Sequence, residues 1–332
     1  MPVTKTHNNR WLRRLGVGTL LIILGFGGAM GAAGTWARHA LIRDFPPPGQ
    51  LLDVGGFQMH IHCLGSGSPT IILDAGGNDF SIFWAPVQAR LAEHNRVCSY
   101  DRAGLGWSQS SPAPRTTPVI VQELRQLLAA AQIEGPYLLV GHSLGGVHMR
   151  QFARLHPDEV VGLALVDSAH EAQIERIAGF APAIEQARAQ FGTLATLSGI
   201  GLLALAPEQI PDRGLPAQQA AQYRAVLAAR PQFQGMRAET AQMASSLRAA
   251  SQAAPATLGE LPLLVFSRGL PDPLPQMSAA EAQAYETEWR QLQAELVGLS
   301  SRGHQTIASQ SGHYIHLDQP QLVVDGLRRL LE

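Results

Sequence analysis

The 332 residues carry 25 Lys and Arg against 26 Asp and Glu, a formal charge of −1, and only 15% of them are charged. A chain so balanced has no polyanion-binding face, so nucleic acid recognition leaves no footprint in it. The two cysteines and 12 histidines show no zinc-ligand spacing. No phosphate-cradling or dinucleotide motif appears, so neither metal nor cofactor is expected.

The first element is apolar. Leu15 to Ala37 holds no charged residue and follows Arg10, Arg13 and Arg14. A bilayer needs about 20 apolar residues. The reading is a cytoplasmic basic flank over residues 1–14 and a transmembrane signal anchor over 15–37. The remaining chain then lies on the periplasmic or extracellular side. A cleaved signal peptide is the alternative, with small residues from Ala29 to Ala33 as its cleavage site and a secreted product. Its apolar region is normally shorter, so length favours the anchor. Residues 38–50, with Asp44-Phe45-Pro46-Pro47-Pro48-Gly49, read as a short stiff linker. Residues 51–332 then suffice for one domain.

Inside that domain, Thr70-Ile71-Ile72-Leu73 reads as a buried strand. The loop after it, Asp74-Ala75-Gly76-Gly77-Asn78-Asp79, has two glycines that allow close backbone approach to a substrate. Further on, the apolar run Pro136-Tyr137-Leu138-Leu139-Val140 leads into Gly141-His142-Ser143-Leu144-Gly145. A serine between two glycines, after a strand and before a helix-compatible run (Val147 to Leu155), has the pattern of a nucleophile elbow. The glycines let neighbouring backbone pass without a clash. The helix N-terminus behind the serine favours developing negative charge. Ser143 is the candidate nucleophile.

A serine nucleophile needs a base, an orienting acid and an oxyanion hole. The base follows from Ser311-Gly312-His313-Tyr314-Ile315-His316, near the C-terminus and before a final helix from about Gln321 to Leu331. His313 sits on a loop that Gly312 frees. His316 lies in the run into the helix, and His304 lies on the near side of the last strand. For the acid, Leu261 to Ser267 reads as a buried strand followed by Arg268-Gly269-Leu270-Pro271-Asp272-Pro273. Asp272 is favoured as the group that orients the imidazole. Asp167, which ends the apolar run Val160 to Val166, is its rival. The backbone N–H of Leu144 is one oxyanion donor. Gly77 is the first choice for the second, with Asn78 after it.

These motifs, together with Val97-Cys98-Ser99-Tyr100-Asp101-Arg102-Ala103-Gly104-Leu105-Gly106-Trp107-Ser108, resemble the α/β-hydrolase superfamily from about Leu51 to the C-terminus. One departure stands out. Many relatives carry His-Gly where this chain has Ala75-Gly76, which removes polar support expected behind the oxyanion loop. A serine at the elbow also separates the chain from branches with an aspartate nucleophile.

The resemblance implies a mostly parallel eight-stranded sheet with helices on both faces. The strands fall at Leu51–Val54, Phe57–Cys63, Thr70–Leu73, Arg96–Tyr100, Tyr137–Val140, Val161–Val166, Leu263–Ser267 and about His304–Ala308. Residues 169–260, rich in Ala, Gln, Arg and Glu and broken by Pro207, Pro211, Pro216 and Pro231, read as a helical cap over the site. In the family's sheet order Cys63 and Cys98 lie on neighbouring strands, so a disulfide or two buried thiols are both open.

The expectation is a membrane-anchored serine hydrolase acting on an ester or similar acyl bond of a small-molecule substrate, through an acyl-enzyme and without a cofactor. The same residues also suit an aminopeptidase, an amidase or an acyltransferase. A receptor or scaffold without activity is the non-enzymatic alternative.

Overall fold

The computed structural model describes residues 10–252, 257–274 and 277–332. Eight strands form one sheet in the order β1-β2-β4-β3-β5-β6-β7-β8. They are β1 (Gln50–Asp53), β2 (Gln58–Leu64), β3 (Thr70–Asp74), β4 (Val97–Tyr100), β5 (Tyr137–His142), β6 (Val160–Val166), β7 (Leu263–Arg268) and β8 (Gly303–Ala308). β1 and β2, and β2 and β4, pair antiparallel; every later pair is parallel.

The central strands are near-continuous apolar runs because both of their faces are covered. Every residue of β3, β4, β5 and β7 is buried. The helices are α1 (Arg10–Asp44), α2 (Ala85–Leu91), α3 (Thr117–Ala130), α4 (Leu144–Leu155), α5 (Gln173–Arg176), α6 (Phe180–Gly199), α7 (Ala217–Ala229), α8 (Gln232–Ser251), α9 (Ala279–Val297), α10 (Ile315–Asp318) and α11 (Pro320–Leu331). On one sheet face, Val121 and Leu124 of α3, Met149 and Phe152 of α4 and Leu296 of α9 pack on Ile72, Leu139 and Leu165. On the other, Val87 and Leu91 of α2 and Val323, Val324 and Leu327 of α11 cover Ile71, Leu138 and Val166. Cys63 and Cys98 stand directly opposite each other on β2 and β4 and are joined as a disulfide.

Helices α5 to α8 lie between β6 and β7, and this stretch is called the cap below. Its apolar underside, with Leu215, Tyr223, Val226, Phe233 and Met236, packs on Phe80, Phe83, Leu105 and Trp107 of the core. α8 approaches most closely: a Cβ built on Gly235 would lie 1.9 Å from the Gly104 carbonyl oxygen, so only glycine permits the contact.

The N-terminal segment departs from its expected layout. The stretch 38–50 is not a linker throughout, because α1 continues to Asp44. Its last turns dock on the cap. Arg38 donates to the carbonyls of Gly199 at 3.1 Å and Ala229 at 3.3 Å, and Gly34 lies against the backbone of Gly201. The apolar stretch from Leu15 falls partly on side chains outside the description. Among the described residues, no helix is long and apolar enough to cross a membrane.

Candidate active site

Ser143 stands between β5 and α4 with φ 49° and ψ −120°, a conformation that L residues rarely adopt. The glycines around it are there for clearance. A Cβ on Gly141 would meet the Gly145 carbonyl carbon at 2.5 Å, and one on Gly145 would meet the Asp74 carbonyl oxygen at 2.5 Å. The strained turn is held on both sides: Ser143 N–H donates to Val166 O at 3.1 Å, and Ser143 O accepts from Gly146 and Ala169 N–H.

His313 lies on the loop between β8 and α10, over that turn. The ring of His142, the residue before the nucleophile, sits 4.6 Å from the His313 ring and bonds the His313 carbonyl at 3.0 Å. Among the described residues no hydrogen bond joins the Ser143 hydroxyl to the His313 ring; their proximity is carried by His142.

The partner of the imidazole is Asp167, at 2.6 Å from His313 Nδ1 to Asp167 Oδ2. This corrects the expectation of Asp272. Asp272 is exposed, and its carboxylate accepts only a long bond from the His313 backbone N–H, at 3.4 Å. The physical reason lies in the two strand ends. β6 and β7 are neighbours, and Asp167 at the end of β6 points under the histidine loop. Beyond β7 the chain is pinned to the β8 side, with Gly269 N–H bonded to Ala308 O and Leu270 N–H to Ser311 O, which carries Asp272 to the surface.

Asp167 is fully buried and surrounded by donors. Arg268 gives it Nη1 at 2.9 Å and its backbone N–H at 3.2 Å, and Trp289 gives Nε1 at 2.9 Å. Burial pushes its pKa up, but the His313 bond and charge, then Arg268 and Trp289, outweigh it, and the group stays below the usual carboxylate range. An ionised carboxylate only accepts, so Nδ1 carries the proton and Nε2 is left as the basic nitrogen. Arg268 is itself steadied over Trp289, 4.6 Å from the ring centroid.

The loop after β3 runs beside the start of α4. Gly77 lies against Leu144 and Met243, each 3.5 Å from a built Cβ, which places it beside the first residue of α4. Asn78, the second choice, has its N–H occupied by Glu239 Oε2 at 2.6 Å. The polar support thought missing behind Ala75-Gly76 comes from Arg102. Its guanidinium is buried and donates to Ala75 O at 2.8 Å, Gly76 O at 2.7 Å, Asp74 Oδ1 at 2.7 Å and Glu239 Oε1 at 2.6 Å. Arg102 and Glu239 were not singled out in the sequence. The available signal was an arginine two residues past the buried strand β4, at the carboxyl end of the strands where the loops after β3 and β5 also lie.

A cleft of about 280 Å³ opens at His313 between Tyr314, Leu317, Leu270 and Arg213 of the cap. Tyr314 donates to the buried Asp79 at 3.0 Å, and Arg213 contacts the Tyr314 hydroxyl. A much larger surface cleft, about 1040 Å³, lies along α3 near Tyr137. That is the opposite end of β5 from Ser143, so volume does not mark the site here. Among the described residues, no group of three or more His, Cys, Asp or Glu could hold a metal ion.

Beneath the site lies a buried stack of rings. His316 is 4.5 Å from Trp84 and 4.4 Å from His142. Neither of its ring nitrogens has a hydrogen-bond partner. Burial first, then the His313 charge, lowers its pKa from 6.5 to about 3. The folded pKa is depressed, so the unfolded chain binds the proton first as pH falls below 6.5, and stability is lost between pH 6.5 and 3. At pH 5 that cost is about 2 kcal/mol. His316→Phe should therefore lose less stability between pH 7 and pH 5 than the native chain, read by urea unfolding at both. Equal losses would mean that His316 does not titrate this way.

Comparison with known proteins fits this geometry. A model of the "Alpha/beta hydrolase family" matches residues 60–326. The Bacillus subtilis protein YqjL is 29% identical over 79% of this chain and 83% of its own length. Other relatives, from fungi, are far longer, and this chain spans 18% to 28% of them. Among solved structures, an esterase from Thermogutta terrifontis aligns with a TM-score of 0.59 at 21% identity, over 85% of this chain and 97% of that one. The epoxide hydrolase CorEH aligns with a TM-score of 0.62 at 19% identity, over 85% and 97%. With the sheet order, the strained elbow and the family match over most of its length, the chain belongs to the alpha/beta hydrolase family.

Proposed function

We propose that the chain is a serine hydrolase that cleaves a carboxylic ester or similar acyl bond of a small molecule. The observation that carries the reading is the 2.6 Å contact between His313 Nδ1 and a buried, donor-saturated Asp167, on the loop over the strained Ser143. His313 Nε2 takes the Ser143 proton as Oγ attacks the carbonyl carbon. The N–H groups of Leu144 and Gly77 receive the developing oxyanion. His313 then gives the proton to the leaving oxygen, and water repeats the sequence on the acyl-enzyme. Asp167 holds the imidazole tautomer and stabilises the imidazolium.

The cleft beside His313, about 280 Å³, is smaller than most ligand sites, which favours a small substrate. The surroundings of Gly77 are apolar, from Leu144 and Met243. A series of p-nitrophenyl esters from acetate to decanoate tests the reading. Turnover should be greatest for short chains and absent in Ser143→Ala. Turnover that survives Ser143→Ala would defeat it.

The apolar segment from Leu15 to Ala37 supports placement at a membrane, with the domain on its far side. The full chain should then resist carbonate extraction from cell membranes. Complete release into the supernatant would remove that part of the reading.

A further inference from the structure

We propose that Glu239, on cap helix α8, is a positioning residue that selects the oxyanion donor and makes the cap a structural part of the catalytic loop. This rests on Ser143 being the nucleophile.

The oxyanion loop offers two adjacent N–H groups, those of Gly77 and Asn78. Glu239 removes one from use: its Oε2 accepts from Asn78 N–H at 2.6 Å. Asn78 is held there with φ 67°, and its side-chain oxygen accepts from Thr240 of the same helix at 3.2 Å. Asn78 N–H is thereby committed to the cap, which leaves Gly77, beside Leu144, as the donor this proposal assigns to the reacting oxygen.

The same carboxylate orients the other half of the loop through Arg102. Glu239 Oε1 accepts Arg102 Nε–H at 2.6 Å, and Oε2 accepts from Nη2 at 3.1 Å. The remaining donors of Arg102 hold Asp74, Ala75 O and Gly76 O. Asp74 in turn meets His148 of α4 at 2.9 Å. Both Arg102 and Glu239 are buried, so the pair has little competition from water, and removing one partner strands the other. α8 is pressed into this position by Gly235 against Gly104, and by Gln232 Oε1, which accepts Gly106 N–H at 2.7 Å. The cap helix thus touches both the loop after β3 and the loop after β4 that carries Arg102.

Glutamine is a sharp probe of this arrangement. All of the contacts to Glu239 come from donors. A Gln side chain has only one oxygen, so its NH₂ must face either Arg102 Nε–H or the Asn78 N–H. One of the two ties is therefore broken with almost no change of volume. In the full chain, Glu239→Gln should lower kcat for p-nitrophenyl acetate about 10–100-fold while leaving KM within about twofold, since a donor that acts only in the transition state is misplaced. The inhibition constant of a trifluoromethyl ketone, whose hemiketal oxygen occupies the same hole, should rise by the same factor. Thr240→Val, which removes only the Thr240–Asn78 bond, should show the same pattern several-fold more weakly, and it carries the test if Glu239→Gln does not fold.

The inference is overturned if folded Glu239→Gln and Thr240→Val keep kcat within twofold. It is also overturned if the loss falls on KM, or if trifluoromethyl ketone affinity is unmoved. Failure of the underlying reading looks different: native chain and Ser143→Ala would then be equally inactive, or equally active, and both conclusions would fall together.

Discussion

Replacing Ser143 by glycine is expected to abolish turnover and raise stability in the same molecule. The hydroxyl is the only nucleophile at the elbow, and its loss should cost on the order of 10⁶-fold in kcat, as for serine nucleophiles elsewhere. The stability gain comes from the backbone. At φ 49° and ψ −120°, Ser143 is held in a conformation that costs a non-glycine residue about 1–3 kcal/mol. Glycine adopts it freely, although its larger unfolded-state entropy takes back up to about 1 kcal/mol. Ser143→Ala isolates the effect, because alanine loses the same rate but keeps the strain. Thermal unfolding should place Ser143→Gly above Ser143→Ala by about 1 kcal/mol. Equal stability of the two would mean that the elbow stores no more strain than glycine's unfolded-state entropy cancels, about 1 kcal/mol.

The second large effect separates two aspartates. Asp167→Asn should lower kcat on the order of 10⁴-fold, because an amide in place of the carboxylate no longer fixes the Nδ1–H tautomer or stabilises the imidazolium. It should also destabilise the fold. Arg268, buried at the end of β7, loses its Asp167 partner and keeps only Glu286, at 3.0 Å. Asp272→Asn should leave kcat within a few-fold, since Asp272 reaches only the His313 backbone. Steady-state turnover of one short ester by both variants checks the assignment. A large loss in Asp272→Asn with little in Asp167→Asn would reverse it.

That reversal was the expectation from the sequence, and its cause is instructive. Asp167 and Asp272 both follow buried apolar strands, and chain order ranks them by nearness to the histidine. What decides between them is where the backbone goes after each strand. Asp167 has φ 40° and stays beneath the loop, whereas the 269–272 segment is drawn to the surface by bonds to β8. Neither fact has a local signature. The central strands were legible as apolar runs, the family resemblance placed the others, and the ends shift by only one or two residues.

The ion pair between Arg102 and Glu239 was invisible for a different reason. The two are separated by 137 residues and meet only because the cap folds back on the sheet. Helix α9 did have a readable start that went unused. Ser278 and Glu281 form a capping box, with Ser278 N–H bonded to Glu281 at 2.8 Å and Glu281 N–H to Ser278 at 3.3 Å. The prolines from Pro46 stop α1, but Arg38 to Asp44 before them are compatible with either helix or linker, so its continuation to Asp44 has no distinct local signature.

The most direct measurement is mass-spectrometric mapping of a fluorophosphonate adduct on the native chain, with Ser143→Ala and Asp167→Asn beside it. A single adduct on the peptide containing Ser143, none in Ser143→Ala, and labelling slowed by orders of magnitude in Asp167→Asn is the expected result. An adduct on another residue, or Asp167→Asn labelling at the native rate, would contradict a serine activated by His313 and Asp167.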